Sequence, residues 1–123
     1  MLPIVGLTGC ATATLQEIQS ADFGAVPENY QASIQGLMSS SLKDPESARY
    51  KFEVPVKGFS RDGFLNGGKK HFGWFVPTSI NAKNSYGAYA GEESYVFFFF
   101  EGMILDVTEG LKYGMAKYIK DAP

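Results

Sequence analysis

Six consecutive large apolar residues, Tyr95-Val96-Phe97-Phe98-Phe99-Phe100, constrain the fold of this chain more than any other stretch. A strand sends successive side chains to opposite faces, so this run cannot keep either face in water. It must lie inside a sheet with cover on both sides. Glu101-Gly102 reads as a turn, and Met103-Ile104-Leu105-Asp106-Val107 returns as the next strand. One covering element is a helix starting at Pro27-Glu28, with proline at its first position and an acid in its first turn. Tyr30, Ile34, Leu37, Met38 and Leu42 fall at helical spacing and form its apolar stripe. The second face needs its own cover. Leu111, Met115, Tyr118 and Ile119 recur at helical spacing and supply it as a short C-terminal helix, with a second copy of the chain as the alternative.

Between these elements the period changes to two. Tyr50, Phe52, Val54 and Val56 alternate with Lys51, Glu53, Pro55 and Lys57, which predicts a half-buried strand with Pro55 at an edge or bulge. Asp44-Pro45-Glu46-Ser47 stops the helix and starts a further turn, with Asp44 as its cap. Arg61-Asp62-Gly63 and Asn66-Gly67-Gly68 are turn signals, and a second strand runs from about His71 to Asn81. The expected fold is α+β: an N-terminal helix packed on an antiparallel sheet of about four strands.

The chain has 123 residues, enough for one domain, and 45% of them are hydrophobic, which excludes a disordered tail. Eleven basic and 13 acidic residues are spread along the chain, with no basic cluster expected that could track a phosphate backbone, which argues against nucleic-acid binding. No apolar stretch approaches the roughly 20 residues of a membrane-spanning helix. The single cysteine, Cys10, leaves no partner for an intramolecular disulfide.

Cys10 closes the tetrapeptide Leu7-Thr8-Gly9-Cys10, which resembles the lipobox of bacterial lipoproteins. The resemblance implies diacylglycerol on the thiol, cleavage before Cys10 and acylation of the new amino group. Residues 1–9 are then the remnant of an export signal whose charged start lies upstream. Residues 10–26 read as a lipid-anchored tether that, as a coil, holds the domain on the order of 20–25 Å from the lipid. Residues 27–120 form the globular domain. Ala11 after the cysteine points to the outer membrane, facing the periplasm, in a diderm host.

Two further segments are similar to a group of small bacterial envelope lipoproteins of poorly defined function. One is Pro27-Glu28-Asn29-Tyr30 with Ser41-Leu42-Lys43-Asp44-Pro45-Glu46-Ser47-Ala48-Arg49-Tyr50. The other is Gly73-Trp74 with Ile80-Asn81-Ala82-Lys83-Asn84-Ser85-Tyr86-Gly87-Ala88-Tyr89-Ala90-Gly91, where the group more often has glycine at position 88. The resemblance implies an envelope protein and no particular reaction.

Nothing in the sequence assembles a catalytic set. His71 is the only histidine, follows Lys69-Lys70, and reads as a surface residue. One histidine without a second cysteine does not make a metal site, and no cofactor is expected. The candidate recognition residues are Lys83, Asn84, Tyr86 and Tyr89, which put ammonium, amide and phenol groups on one short loop. The same residue types also build turns. Asn81 and Asn84 are expected to hold the loop, with Tyr89 the more exposed ring. The sequence thus points to a lipid-anchored binding or assembly module, with another envelope protein or cell-wall material as partner. A small envelope hydrolase or inhibitor using this loop, and a phage-borne surface-exclusion lipoprotein, are the alternatives.

Overall fold

A computed structural model describes residues 13–61 and 68–119. Cys10 and the turn signals at 62–67 lie outside the described residues. The chain folds as α+β with a six-stranded antiparallel sheet. Its strands are β1 (Arg49–Phe52), β2 (Val56–Arg61), β3 (Lys70–Asn81), β4 (Glu93–Phe100), β5 (Met103–Asp106) and β6 (Ala116–Tyr118). Its helices are α1 (Leu15–Ser20), α2 (Tyr30–Met38) and α3 (Thr108–Lys112), with a 3₁₀ turn at Pro45–Ser47.

The spatial order is β5-β4-β3-β2-β6, and β1 also pairs with β3. The sheet therefore exceeds the expected four strands, for two physical reasons. The alternating segment from Tyr50 splits in two, because Pro55 has no N–H to give to a ladder. β1 pairs with the second half of β3, Arg49 opposite Asn81, and β2 with the first half, Val56 opposite Phe75. Val54, expected inside, lies in the break and is 69% exposed. The C-terminal segment is the second reason. It is helical only over α3, because Gly114 takes a positive φ of 80° and turns the chain. Residues 116–118 then pair with β2 as β6. The expected C-terminal helix through Tyr118 and Ile119 is thereby corrected.

The phenylalanine run behaves as its composition demands. Phe97 packs with Ile34, Met38, Val76 and Ile80 beneath α2. Phe98 and Phe100 point the other way and pack with Phe75, Val107 and Ala116, with Leu111 of α3 against them. α3 crosses this second face on its way from the β5 edge to the β6 edge. Two glycines make room there: a Cβ on Gly58 would sit 2.6 Å from the Phe75 ring, and one on Gly73 would strike the Phe99 carbonyl. Glu101 and Gly102, both at positive φ, make the two-residue β4–β5 turn that right-twisted strands prefer.

Helix α2 is shorter than its apolar pattern. Tyr30 is its first residue, and it stops at Met38, where the Ser39 and Ser40 hydroxyls donate to the Gly36 and Leu37 carbonyls. It is also not the first helix. The stretch expected as a coiled tether contains α1, opened by a reciprocal cap in which Glu17 N–H donates to Thr14 Oγ1 and Thr14 N–H to Glu17 Oε1. Beyond α1, Phe23 lies edge-on to Phe72 and Trp74, and Trp74 Nε1 donates to the Gly24 carbonyl at 3.1 Å. Lys70 Nζ meets the Glu17 carboxylate at 3.0 Å. Residues 14–24 thus dock on the sheet beside α2, and Trp74 is half-buried beneath them.

Candidate functional site

Asn81, at the end of β3, opens a small hairpin that returns to β4. Lys83 and Tyr89 face each other in an isolated antiparallel bridge, and Ala90 N–H donates to the Ala82 carbonyl. Asn84 makes the bend. Its Oδ1 accepts from Tyr86 N–H at 2.9 Å and from Ala88 N–H at 3.2 Å, its own N–H donates to the Ala88 carbonyl, and its carbonyl accepts from Gly87. Asn81 Oδ1 accepts from Gly91 N–H and closes the base. The two asparagines therefore act as turn residues, the local self-bonding for which Asn is favoured. Gly87 supplies the positive φ of 82°, while Ala88 keeps an ordinary negative φ, which explains why alanine fits there.

The hairpin rests on the turn Pro45–Ser47 and the start of β1. Ser47 Oγ accepts from Lys83 N–H at 2.9 Å, and the Ser47 carbonyl accepts from the Tyr89 hydroxyl at 2.9 Å. Ser47 Oγ in turn donates to the Asp44 carbonyl, as does the Ser47 N–H, and the Asp44 side chain does not make the expected capping bond. The Arg49 guanidinium lies 4.0 Å over the Tyr89 ring centre, and Lys83 Nζ lies 5.6 Å from it. The segments Asp44–Arg49 and Asn81–Gly91 are thus one structural unit. Nothing in their linear order shows this.

Of the four candidate residues, Lys83, Asn84 and Tyr89 serve that unit, and only Tyr86 stands clear of it. Tyr86 is 93% exposed at the tip against 36% for Tyr89, the reverse of the expected order. The physical reason is the Tyr89 hydroxyl, which reaches back to Ser47 and brings its ring under Arg49. Beside the hairpin, Lys51 Nζ meets Glu92 at 2.7 Å, and Ser79 donates to the same carboxylate. These contacts hold the Glu92 carboxyl below its ordinary range.

A concavity lies at the end of the sheet opposite the hairpin. Phe23, Tyr30 and Ser33 line one wall and Phe99, Met103 and Ile104 the other, around a volume of about 430 Å³. It is an open, mainly apolar groove, with Glu28 and Glu101 also among its lining residues. His71 is half-buried against the Phe100 ring, 5.1 Å between centres, and is not the surface residue expected. Among the described residues no group of three or more His, Cys, Asp and Glu could hold a metal ion. No helix among them is long and apolar enough to cross a membrane. Comparison with protein-family models, curated proteins and solved structures gives no match.

Proposed function

We propose that this chain is a lipid-anchored bacterial envelope protein, held through Cys10, that acts as a non-catalytic binding or assembly module. The anchor rests on Leu7-Thr8-Gly9-Cys10. The binding role rests on one observation: a bare tyrosine ring, Tyr86, stands on a hairpin whose backbone is fixed by Asn84, Asn81 and Ser47. Prior fixing of a recognition loop removes ordering entropy from the binding step. An exposed aromatic gives a large contact area with only two torsions to freeze, and its hydroxyl can bond a protein or a glycan.

The test separates recognition from stability. Tyr86→Ala is expected to melt like the parent while losing retention on isolated cell-wall material or on the envelope protein that co-purifies with the parent. Tyr89→Ala is expected to lower the melting midpoint, because it removes a hydrogen bond and the ring under Arg49. Retention unchanged by Tyr86→Ala removes the hairpin tip as the contact surface.

A further inference from the structure

The charges of the sheet are sorted by strand. β1, β2, β3 and β6 carry six basic residues, Arg49, Lys51, Lys57, Arg61, Lys70 and Lys117, and no Asp or Glu. β4 and β5 carry Glu93 and Asp106 and no Lys or Arg. Four of the cations share one corner of the face that α1 and α2 cover. Lys57 and Arg61 flank Phe59 along β2, Lys117 stands opposite Phe59 on β6, and Lys70 stands opposite Arg61 on β3. Strand spacing places the backbones of these residues within about 10 Å of their neighbours in the group.

Only Lys70 of the four has an ion pair among the described residues, with Glu17. Lys57 Nζ rides 4.7 Å over the Phe23 ring, Arg61 Nε donates to the Gly68 carbonyl, and Lys117 is exposed. Among the described residues Glu17 is the one carboxylate paired within this corner, and it serves Lys70, so Lys57, Arg61 and Lys117 have no carboxylate partner there. Like charges at such spacing repel, and an external anion relieves that repulsion. The position of the corner says which anion. α1 is pinned to it by Glu17, and only four residue steps separate its cap Thr14 from Cys10, a reach of at most about 14 Å.

We infer that Lys57, Arg61 and Lys117 form a face for the anionic headgroups of the membrane, which sets how the domain lies on its bilayer. The biological setting rests on the anchor at Cys10, but the surface chemistry is measurable without it. A headgroup face also fits the remainder of the molecule: the hairpin with Tyr86 is at the other end of β3, so docking the basic corner leaves that tip free.

The experiment uses the full chain carrying Cys10→Ser, so that no lipid is attached, and sedimentation with vesicles. Vesicles of phosphatidylglycerol and phosphatidylcholine are expected to retain the protein, vesicles of phosphatidylcholine alone to retain far less, and added salt to release it. Lys57→Gln with Lys117→Gln is expected to lower the partition about thirtyfold, some five- to sixfold per cation. Lys43→Gln with Lys112→Gln changes net charge equally and is expected to have little effect. Equal loss in the two double variants overturns the proposal, as does salt-insensitive or equal retention on the two vesicle types. Soluble polyphosphate held as tightly as the anionic vesicles also overturns it, in favour of a soluble polyanion. None of these results bears on lipidation, which is read separately from the mass of the wild-type N-terminal peptide.

Discussion

Two glycine-to-alanine substitutions are expected to have opposite signs. Gly36 lies on the exposed side of α2, and a Cβ there would meet nothing within 4 Å. Alanine in a helix interior is favoured over glycine by about 0.8–1.0 kcal/mol, so Gly36→Ala should stabilise by about that amount. Gly73 lies in β3, where removing glycine's backbone freedom would by itself favour alanine by roughly 0.5–1 kcal/mol. Packing reverses the sign. The new Cβ would collide with the Phe99 carbonyl oxygen, stand 2.9 Å from Phe100 Cβ and 3.0 Å from the Phe98 ring. The first of these is backbone in the middle of the sheet and cannot rotate away. Overpacking of this kind costs about 1–3 kcal/mol or more, so a net loss of roughly 1–2 kcal/mol is expected. Urea unfolding followed by circular dichroism reads both, as a higher midpoint for Gly36→Ala and a lower one for Gly73→Ala at unchanged slope. A Gly73→Ala protein as stable as the parent would refute the close approach of β3 to β4 on the Phe75–Phe98–Phe100 side.

Phe98→Ala removes a ring with no exposed surface, 5.1 Å from Phe75 and 4.8 Å from Phe100, and should cost about 3–5 kcal/mol in the same assay. Tyr89→Ala should cost about 1–2 kcal/mol and Tyr86→Ala less than about 0.5 kcal/mol by thermal melting. The Glu17 carboxyl is held below its ordinary value of 4.5 by the Thr14 backbone N–H first and by Lys70 second. A depressed value contributes stability above pH 4.5 that is lost as pH falls through the folded value, so the gap in melting midpoint between the parent and Glu17→Gln should close in acid. Burial raises the Tyr50, Tyr95 and Tyr118 phenols above 10.0, so their contribution is present below pH 10 and should be lost as alkaline pH passes the folded values.

The strands were largely legible where composition left one option. The phenylalanine run had to be covered on both faces, and Glu101-Gly102 had to turn. The termini are less legible, because local pattern there competes with tertiary contacts. Thr14-Leu15-Gln16-Glu17 carries the Thr-x-x-Glu signature of a helix start, a signal sufficient to find α1 in a segment that otherwise reads as small and polar. Residues 116–118 have helical spacing with Leu111 but pair with β2, a long-range partner that periodicity does not encode. In the candidate site, the roles of Asn81 and Asn84 follow from ordinary Asn turn chemistry. The exchange of exposure between Tyr86 and Tyr89 was hidden, because it depends on Ser47 and Arg49, some 40 residues earlier in the chain.

The anchored binding module is tested most directly at its anchor. Native protein extracted from the host envelope can be digested and its N-terminal peptide weighed. The expected chain begins at Cys10 and carries diacylglycerol on the thiol. A peptide that runs unbroken through Gly9-Cys10 with a free thiol would contradict it.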